Sequence, residues 1–176
     1  MKGILENGIR IFRGITYARY ERFSEAVLQP LGDADDATRY GTICPQRSNR
    51  LASIIGEDKG SVIEEGSLCL SIYAPEHAEN LPVMVWLHGG AFVTGGSEEK
   101  RYGCERLVET GNVVAVKISY RLGALGYLWM PEKGVTNLGL KDQILALEWV
   151  HANIASFGGD PSNATIFGQS AGAMSI

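Results

Sequence analysis

A short apolar run followed by a serine between two glycines constrains the fold of this chain more than any other sequence feature. Residues 164–167 have the pattern of a buried strand, and Gly168-Gln169-Ser170-Ala171-Gly172 follows directly. A G-x-S-x-G sequence at a strand-to-helix turn holds its serine in a strained conformation, exposed at the carboxyl end of a sheet. Side chains at the two glycine positions would collide with neighbouring backbone. The pattern therefore predicts a nucleophile elbow centred on Ser170.

Three further apolar runs predict strands upstream of this turn. In residues 68–72, large apolar residues alternate with smaller ones, and the run stops at Pro75. Residues 83–87 and 113–118 are instead short, continuous apolar runs. At the start of the chain, Asn7-Gly8 separates two apolar-rich runs, which predicts a hairpin with a type I′ turn. The remaining residues up to position 66 are polar and are expected to form loops with short elements.

Two helices are predicted between these strands. We expect the first over residues 98–110, with Leu107 and Val108 turned inward. The second ends before Gly158-Gly159, as helices do at glycine. Its predicted buried face consists of Leu140, Ile144, Leu147, His151 and Ile154. Strands that alternate with helices predict a three-layer α/β fold around a mostly parallel sheet.

Charge and hydropathy exclude several classes of partner. The 176 residues contain 16 Lys and Arg against 20 Asp and Glu, without a basic block, which argues against a nucleic-acid partner. The longest apolar run, Leu81 to Leu87, is far shorter than the roughly 20 residues that span a membrane. The N-terminus has no apolar core of a secretory signal. We therefore expect a cytoplasmic protein with no membrane partner.

Cysteine and histidine spacing gives no indication of a metal site. Cys44, Cys69 and Cys104 form no C-x-x-C motif, and the three histidines form no H-E-x-x-H motif. We expect three reduced, partly buried thiols.

A second glycine cluster follows the predicted strand at residues 83–87. His88-Gly89-Gly90-Ala91 exposes consecutive backbone N–H groups, which form half of an oxyanion hole in esterases and lipases. A glycine turn after a strand is the alternative interpretation. We expect a side chain at Gly90 to affect turnover far more than stability.

Four segments carry a resemblance to a known family. They are residues 137–173, Leu87 to Phe92, Phe12-Arg13-Gly14-Ile15 with Tyr17-Ala18, and Tyr120-Arg121-Leu122-Gly123 with Gly126. In this order they resemble the motifs of the type-B carboxylesterase (cholinesterase-like) family of α/β-hydrolases. The resemblance implies the α/β-hydrolase fold and hydrolysis of small-molecule carboxylic esters through an acyl-serine intermediate, with no metal or organic cofactor. It makes Ser170 the nucleophile, and Gly89, Gly90 and Ala171 the N–H donors of the oxyanion hole.

The same resemblance shows what this chain lacks. In the family, the acid and the histidine of the catalytic triad both follow the nucleophile, but six residues follow Ser170 here. We therefore expect residues 1–176 to be the N-terminal part of a single α/β-hydrolase domain, with a hairpin and loops at 1–66 and core elements at 67–176. The downstream strands are missing, so we expect the isolated chain to be inactive and to need the C-terminal part of the fold.

None of the three histidines is expected to replace the missing base. His77 lies in a polar loop, His88 occupies a structural position of the family motif, and His151 is expected to be packed and hydrogen-bonded. A non-catalytic cholinesterase-like binding module and an inactive truncated product are the alternative functions. The binding module predicts loss of the nucleophile, whereas this chain retains Ser170.

Two further family positions concern structure and location. Cys44 matches a family disulfide position whose partner position is Ser67 here, which agrees with a reducing compartment. Glu65 resembles a family acid that pairs with the arginine at position 22, a structural pair. The glycosylation sequon at Asn163 is interpreted as a chance match.

Overall fold

A β-sheet forms the centre of the protein. The computed structural model describes residues 1–32, 36–47, 62–99 and 102–176. In chain order the strands are β1 Ile4–Glu6, β2 Ile9–Arg19, β3 Val27–Leu28, β4 Thr42–Ile43, β5 Val62–Ile63, β6 Ser67–Pro75, β7 Leu81–Leu87, β8 Val114–Ile118 and β9 Gly159–Gly168. In this described part, seven strands form one sheet, and β4 pairs with β5 apart from it.

All the described helices come after β7 in the chain. They are α1 Glu105–Gly111, α2 Gly123–Tyr127, α3 Leu138–Asn153 and α4 Ala171–Met174, with 3₁₀ turns at Pro131–Lys133 and Ile154–Phe157. Helix α3 leads into β9 through Gly158, which adopts φ 89°. Glycine ends the helical segment there as the sequence predicts. Among the described helices, none combines the length and the apolar character that crossing a bilayer requires.

The sheet is mixed rather than mostly parallel. Its order is β1-β2-β6-β8-β7-β9, with β3 on the side of β2. Strand β7 pairs in parallel with β8 and β9, while β1, β2, β6 and β8 pair antiparallel in succession. Parallel neighbours need a crossover connection, and the helices α1 and α3 provide it only before β8 and β9. In the described part of the N-terminal half, no such helix lies between the strands.

The N-terminal hairpin is confirmed. Strands β1 and β2 pair antiparallel with Glu6 opposite Ile9. Asn7 and Gly8 both have positive φ, 51° and 76°, which is the requirement of a type I′ turn.

Both faces of the sheet are covered, as the three-layer prediction requires. Alternate residues of a strand point to opposite faces, so Val116 packs in the large cluster with Trp149 and Val150 of α3, whereas Ala115 packs in a smaller cluster with Val108 of α1. The α/β prediction is therefore confirmed.

The first predicted helix is shorter than expected. Helix α1 begins at Glu105, not at residue 98. Glu98 is buried instead, and its Oε1 accepts hydrogen bonds from the hydroxyls of Ser71 at 2.7 Å and Ser97 at 3.0 Å. These contacts hold the segment before α1 against the sheet, and they take precedence over its helical pattern.

The buried face predicted for α3 is wrong in most of its members. Leu140 and Ile144 are 38% and 51% exposed, and His151 is also exposed. Ile154 is buried as predicted. The residues of α3 that are buried are Leu138, Gly139, Asp142, Gln143, Ala146, Trp149 and Val150. Compared with the prediction, α3 is turned about its own axis. The polar side chains of Asp142 and Gln143 face the interior because they have hydrogen-bond partners there, in Arg121 and Ser175.

Asp142 is the more important of these polar residues. Its carboxylate accepts hydrogen bonds from Arg121 Nε at 2.8 Å, Arg121 Nη2 at 2.6 Å and the Arg121 backbone N–H at 3.0 Å. Both side chains have no exposed area. Burial raises the pKa of Asp142 above its ordinary value, and the hydrogen bonds and positive charge of Arg121 oppose that rise.

We expect Asp142→Asn to lower the free energy of unfolding by about 3–5 kcal/mol, because it leaves the Arg121 guanidinium buried without a counter-charge. Denaturant unfolding monitored by circular dichroism measures the change. Glu65→Gln, which breaks the exposed Arg22–Glu65 pair, is the matched control and should change stability little. An equal loss in the two variants would contradict the prediction.

Candidate functional site

The carboxyl ends of three parallel strands meet at one edge of the sheet. Leu87 at the end of β7 lies opposite Ile118 of β8 and opposite Gly168 of β9. The segments that follow these three residues therefore emerge side by side. Open α/β sheets bind ligands at this carboxyl edge, and it is here that the structure places Ser170.

Ser170 has the strained backbone that the sequence predicts. Its φ is 54° and its ψ is −122°, and it caps the N-terminus of α4 with its side chain exposed. A Cβ on Gly168 would lie 2.6 Å from the Gly172 carbonyl carbon, and a Cβ on Gly172 would lie 2.1 Å from the Leu87 oxygen. Both glycines are therefore required, and the steric explanation of the G-x-S-x-G turn is confirmed.

The second glycine cluster lies directly beside this serine. A Cβ on Gly89 would lie 3.1 Å from the Ser170 Cβ and 2.7 Å from the Gln169 carbonyl oxygen. The loop after β7 and the turn after β9 therefore pack backbone against backbone. Strand pairing brings the two predicted halves of the site together, although positions 89 and 170 lie 81 positions apart in the sequence.

Gly90 has a structural constraint of its own. Its φ is 118°, and a Cβ there would lie 1.9 Å from the Thr94 oxygen. The Gly90 carbonyl also accepts hydrogen bonds from the N–H groups of Val93 and Thr94, both at 3.0 Å. The expectation that a side chain at Gly90 affects turnover far more than stability is therefore wrong, because it would disrupt the loop itself.

Three backbone N–H groups at this edge are available to a ligand. Within the described parts of the chain, those of Gly89, Gly90 and Ala171 donate no hydrogen bond to another protein atom. Gly89 and Ala171 are buried, so water competes little for these donors. N–H groups fixed beside an exposed serine can stabilise negative charge on an oxygen bound to the same carbon that the serine attacks.

The three histidines occupy different environments. His88 is fully buried, and its Nδ1 lies 2.8 Å from the Gly89 carbonyl oxygen. His77 is exposed in the turn after β6. His151 is exposed rather than packed, although its Nδ1 lies within hydrogen-bond distance, 3.2 Å, of the Pro161 oxygen.

Two of these histidines lie at the opposite edge of the sheet from Ser170. Strand β6 runs antiparallel to β8, so its carboxyl end, next to His77, lies at the amino end of β8. Pro161, the neighbour of His151, lies near the amino end of β9, because Gly159 pairs with Leu81 at the start of β7, whereas Ser170 follows the carboxyl end of β9.

The structural pair predicted near the N-terminus is present. Arg22 Nε donates to Glu65 Oε1 at 2.9 Å, and its Nη2 donates to Oε2 at 2.5 Å. Its position at the surface and its bidentate geometry indicate a structural role.

Cys44, Cys69 and Cys104 are buried free thiols. Burial raises the pKa of Cys44 to about 11, so this thiol stays protonated at neutral pH. Its Sγ accepts a hydrogen bond from the Leu122 N–H at 3.3 Å. Among the described residues, no group of three or more His, Cys, Asp or Glu side chains is arranged to hold a metal ion.

Sequence reasoning assigned no role to two residues that support the glycine loop. The Gln46 side chain pairs with both polar groups of the Gly95 backbone, each at 2.7 Å. The Tyr120 hydroxyl donates to the His88 carbonyl oxygen at 2.6 Å. Tyr120 lies in one of the four segments that resemble the family, whereas Gln46 lies outside them, and only the fold shows what each residue contacts.

Comparison with solved structures identifies the fold. A thermophilic para-nitrobenzyl esterase superimposes with a TM-score of 0.90 at 42% identity, over 99% of this chain and 38% of the esterase. An esterase from Clostridium hathewayi that hydrolyses aliphatic aromatic polyesters gives a TM-score of 0.89 at 38% identity, over 99% of this chain and 37% of that chain. The protein has the α/β-hydrolase fold of these esterases.

Sequence comparison leads to the same group of proteins. The chain is 44% identical to the para-nitrobenzyl esterase of Bacillus subtilis, over 100% of its own length and 37% of the relative. It is 43% identical to a probable N-octanoylanthranilate hydrolase of Rhodococcus erythropolis, over 99% of its length and 39% of the relative. The chain thus spans about two fifths of these relatives. The carboxylesterase family model matches residues 2–176, and the chain therefore belongs to the carboxylesterase family.

Proposed function

We propose that this chain supplies the nucleophile and the oxyanion hole of a serine carboxylesterase. The observation that carries the proposal is the contact between the strained Ser170 turn and Gly89 at the carboxyl edge of the sheet. This contact places an exposed hydroxyl beside backbone N–H donors. Family membership supports carboxylic esters as the substrates.

In the proposed reaction, Ser170 Oγ attacks the carbonyl carbon of the ester as its proton passes to a general base. The carbonyl oxygen becomes an oxyanion that accepts hydrogen bonds from the N–H groups of Gly89, Gly90 and Ala171. Collapse of this intermediate breaks the bond to the alcohol oxygen, which leaves with the proton. Water then attacks the acyl-serine, releases the carboxylic acid and restores the hydroxyl of Ser170.

We propose that the general base and its acidic partner come from outside these 176 residues. His77 and His151 lie at the opposite edge of the sheet, and His88 is buried with one ring nitrogen directed at the Gly89 oxygen. The para-nitrobenzyl esterase of Bacillus subtilis extends well beyond the matched region, since this chain covers 37% of it. In this proposal residues 1–176 are the N-terminal part of the enzyme.

We also propose a cytoplasmic location. The support is the state of Cys44, Cys69 and Cys104, which are free thiols inside the protein. A reducing compartment keeps thiols in this state.

The first prediction concerns the nucleophile. A fluorophosphonate should react with Ser170 of the full-length protein, because the serine oxygen displaces fluoride from phosphorus when the oxyanion hole holds the phosphoryl oxygen. Mass spectrometry of the tryptic peptide locates the adduct. Ser170→Ala should lower turnover of a short-chain aryl ester by several orders of magnitude. Ser175→Ala, in the same short segment, is the control and should retain activity. Labelling at another residue, with normal turnover in Ser170→Ala, would remove Ser170 from the mechanism.

The second prediction concerns the source of the base. Residues 1–176 alone should hydrolyse an activated ester no faster than their own Ser170→Ala variant, because a serine hydroxyl without a base is a weak nucleophile. Initial rates on the monomer fraction from gel filtration give the comparison. Ser170-dependent turnover near 10 s⁻¹, about the median for enzymes, would show that the base lies within these residues. His77→Ala, His88→Ala and His151→Ala would then identify it.

A further inference from the structure

The peptide groups that carry the N–H donors of Gly89 and Gly90 are both hydrogen-bonded at their carbonyl oxygens. The Tyr120 hydroxyl donates to the His88 carbonyl oxygen at 2.6 Å. His88 Nδ1 lies 2.8 Å from the Gly89 carbonyl oxygen, and because a carbonyl oxygen only accepts, Nδ1 carries the proton and donates it. The two hydrogen bonds form a series from Tyr120 through His88 to Gly89.

The geometry of the peptide group gives this series a consequence. A trans peptide is planar, so the carbonyl of one residue and the N–H of the next point in opposite directions within one plane. A hydrogen bond that fixes the His88 carbonyl therefore also fixes the direction of the Gly89 N–H. In the same way, the bond from the His88 ring to the Gly89 carbonyl fixes the direction of the Gly90 N–H.

We propose that Tyr120 and His88 are positioning residues that aim the N–H groups of Gly89 and Gly90 at the oxyanion. This inference rests on the proposed esterase function and names residues that would set its rate without touching the substrate. The third donor is oriented in the same manner, since the Ser170 carbonyl accepts a hydrogen bond from the Met174 N–H at 3.0 Å. Each of the three oxyanion donors thus belongs to a peptide that is fixed at its carbonyl oxygen.

The surroundings of the pair favour a fixed geometry. The rings of His88 and Tyr120 stack with their centroids 4.3 Å apart and their planes 10° from parallel. Both residues are buried, 0% and 1% exposed. Burial raises the pKa of the Tyr120 hydroxyl, so it stays protonated and able to donate. One aromatic side chain therefore supports the His88 ring and also binds the His88 backbone.

The loop at Gly95 packs against the hydrogen bond between His88 and Gly89. A Cβ on Gly95 would lie 2.4 Å from the Gly89 oxygen and 2.6 Å from His88 Nδ1, so the Gly95 backbone covers the bond between them. Gln46 holds Gly95 in place through its two amide hydrogen bonds. Because His88 is fully buried, the low local dielectric strengthens its hydrogen bond to the Gly89 carbonyl.

Tyr120→Phe tests the inference, because it removes the hydroxyl and keeps the ring that stacks on His88. Tyr127→Phe is the matched control: within the described residues, the Tyr127 hydroxyl is buried without a hydrogen-bond partner. Both variants are made in the full-length protein. For a small aryl ester, kcat of Tyr120→Phe should fall about 10- to 100-fold, less than for outright loss of an oxyanion donor, with KM changed by less than about threefold.

A second measurement does not depend on turnover. With ¹⁵N-glycine labelling, the Gly89 amide resonance should shift and its hydrogen exchange should accelerate in Tyr120→Phe but not in Tyr127→Phe. If Tyr120→Phe does not fold, His88→Asn and His88→Leu replace it. Asparagine retains a side-chain N–H for the Gly89 carbonyl, so His88→Asn should keep at least tenfold more kcat than His88→Leu.

The outcomes separate the two proposals. Active wild-type protein with unchanged kcat and an unchanged Gly89 resonance in Tyr120→Phe overturns the inference alone. A drop in kcat matched by Tyr127→Phe also overturns it, since any lost hydroxyl would then have the same effect. Wild-type protein that does not hydrolyse esters, or does so without Ser170, overturns the proposed function and the inference with it.

Discussion

The buried ion pair between Arg121 and Asp142 connects the elements on which the site depends. Asp142 lies on α3, the helix that leads into β9, and it binds both the side chain and the backbone N–H of Arg121. Arg121 directly follows Tyr120 in the chain, so the ion pair also fixes the backbone position of Tyr120. Because Tyr120 binds the His88 carbonyl, the position of the His88-Gly89-Gly90 loop depends on the carboxylate of Asp142, which is remote from the loop in sequence.

Such a pair adds little net stability to the folded state, although removal of one partner is strongly destabilising. Taking two charges out of water costs several kcal/mol for each ion, and a good partner arrangement only offsets this cost. Here Arg121 also donates from Nη1 to the Ser24 carbonyl at 2.5 Å and lies over the Tyr20 ring at 4.4 Å. The guanidinium is thus held on several sides, and few alternative positions remain for the chain around it.

The parts of the fold that sequence predicts are those determined by local sterics. The hairpin at Asn7-Gly8 and the turn at Ser170 require backbone angles that glycine and its neighbours adopt within a few residues. The buried face of α3 was missed because helical periodicity treats Asp142 as an outward residue, whereas its partner comes from another part of the chain. The contact between Tyr120 and His88 joins residues 32 positions apart and has no local pattern.

Strand β9 is the last strand in the described sheet order, with β7 on one side and no described strand on the other. Its residues are largely exposed between Ser162 and Thr165. An unpaired edge presents N–H and C=O groups to any extended chain that comes near. A strand that pairs in parallel with β9 on this side would therefore bring its own carboxyl end beside the turn that holds Ser170.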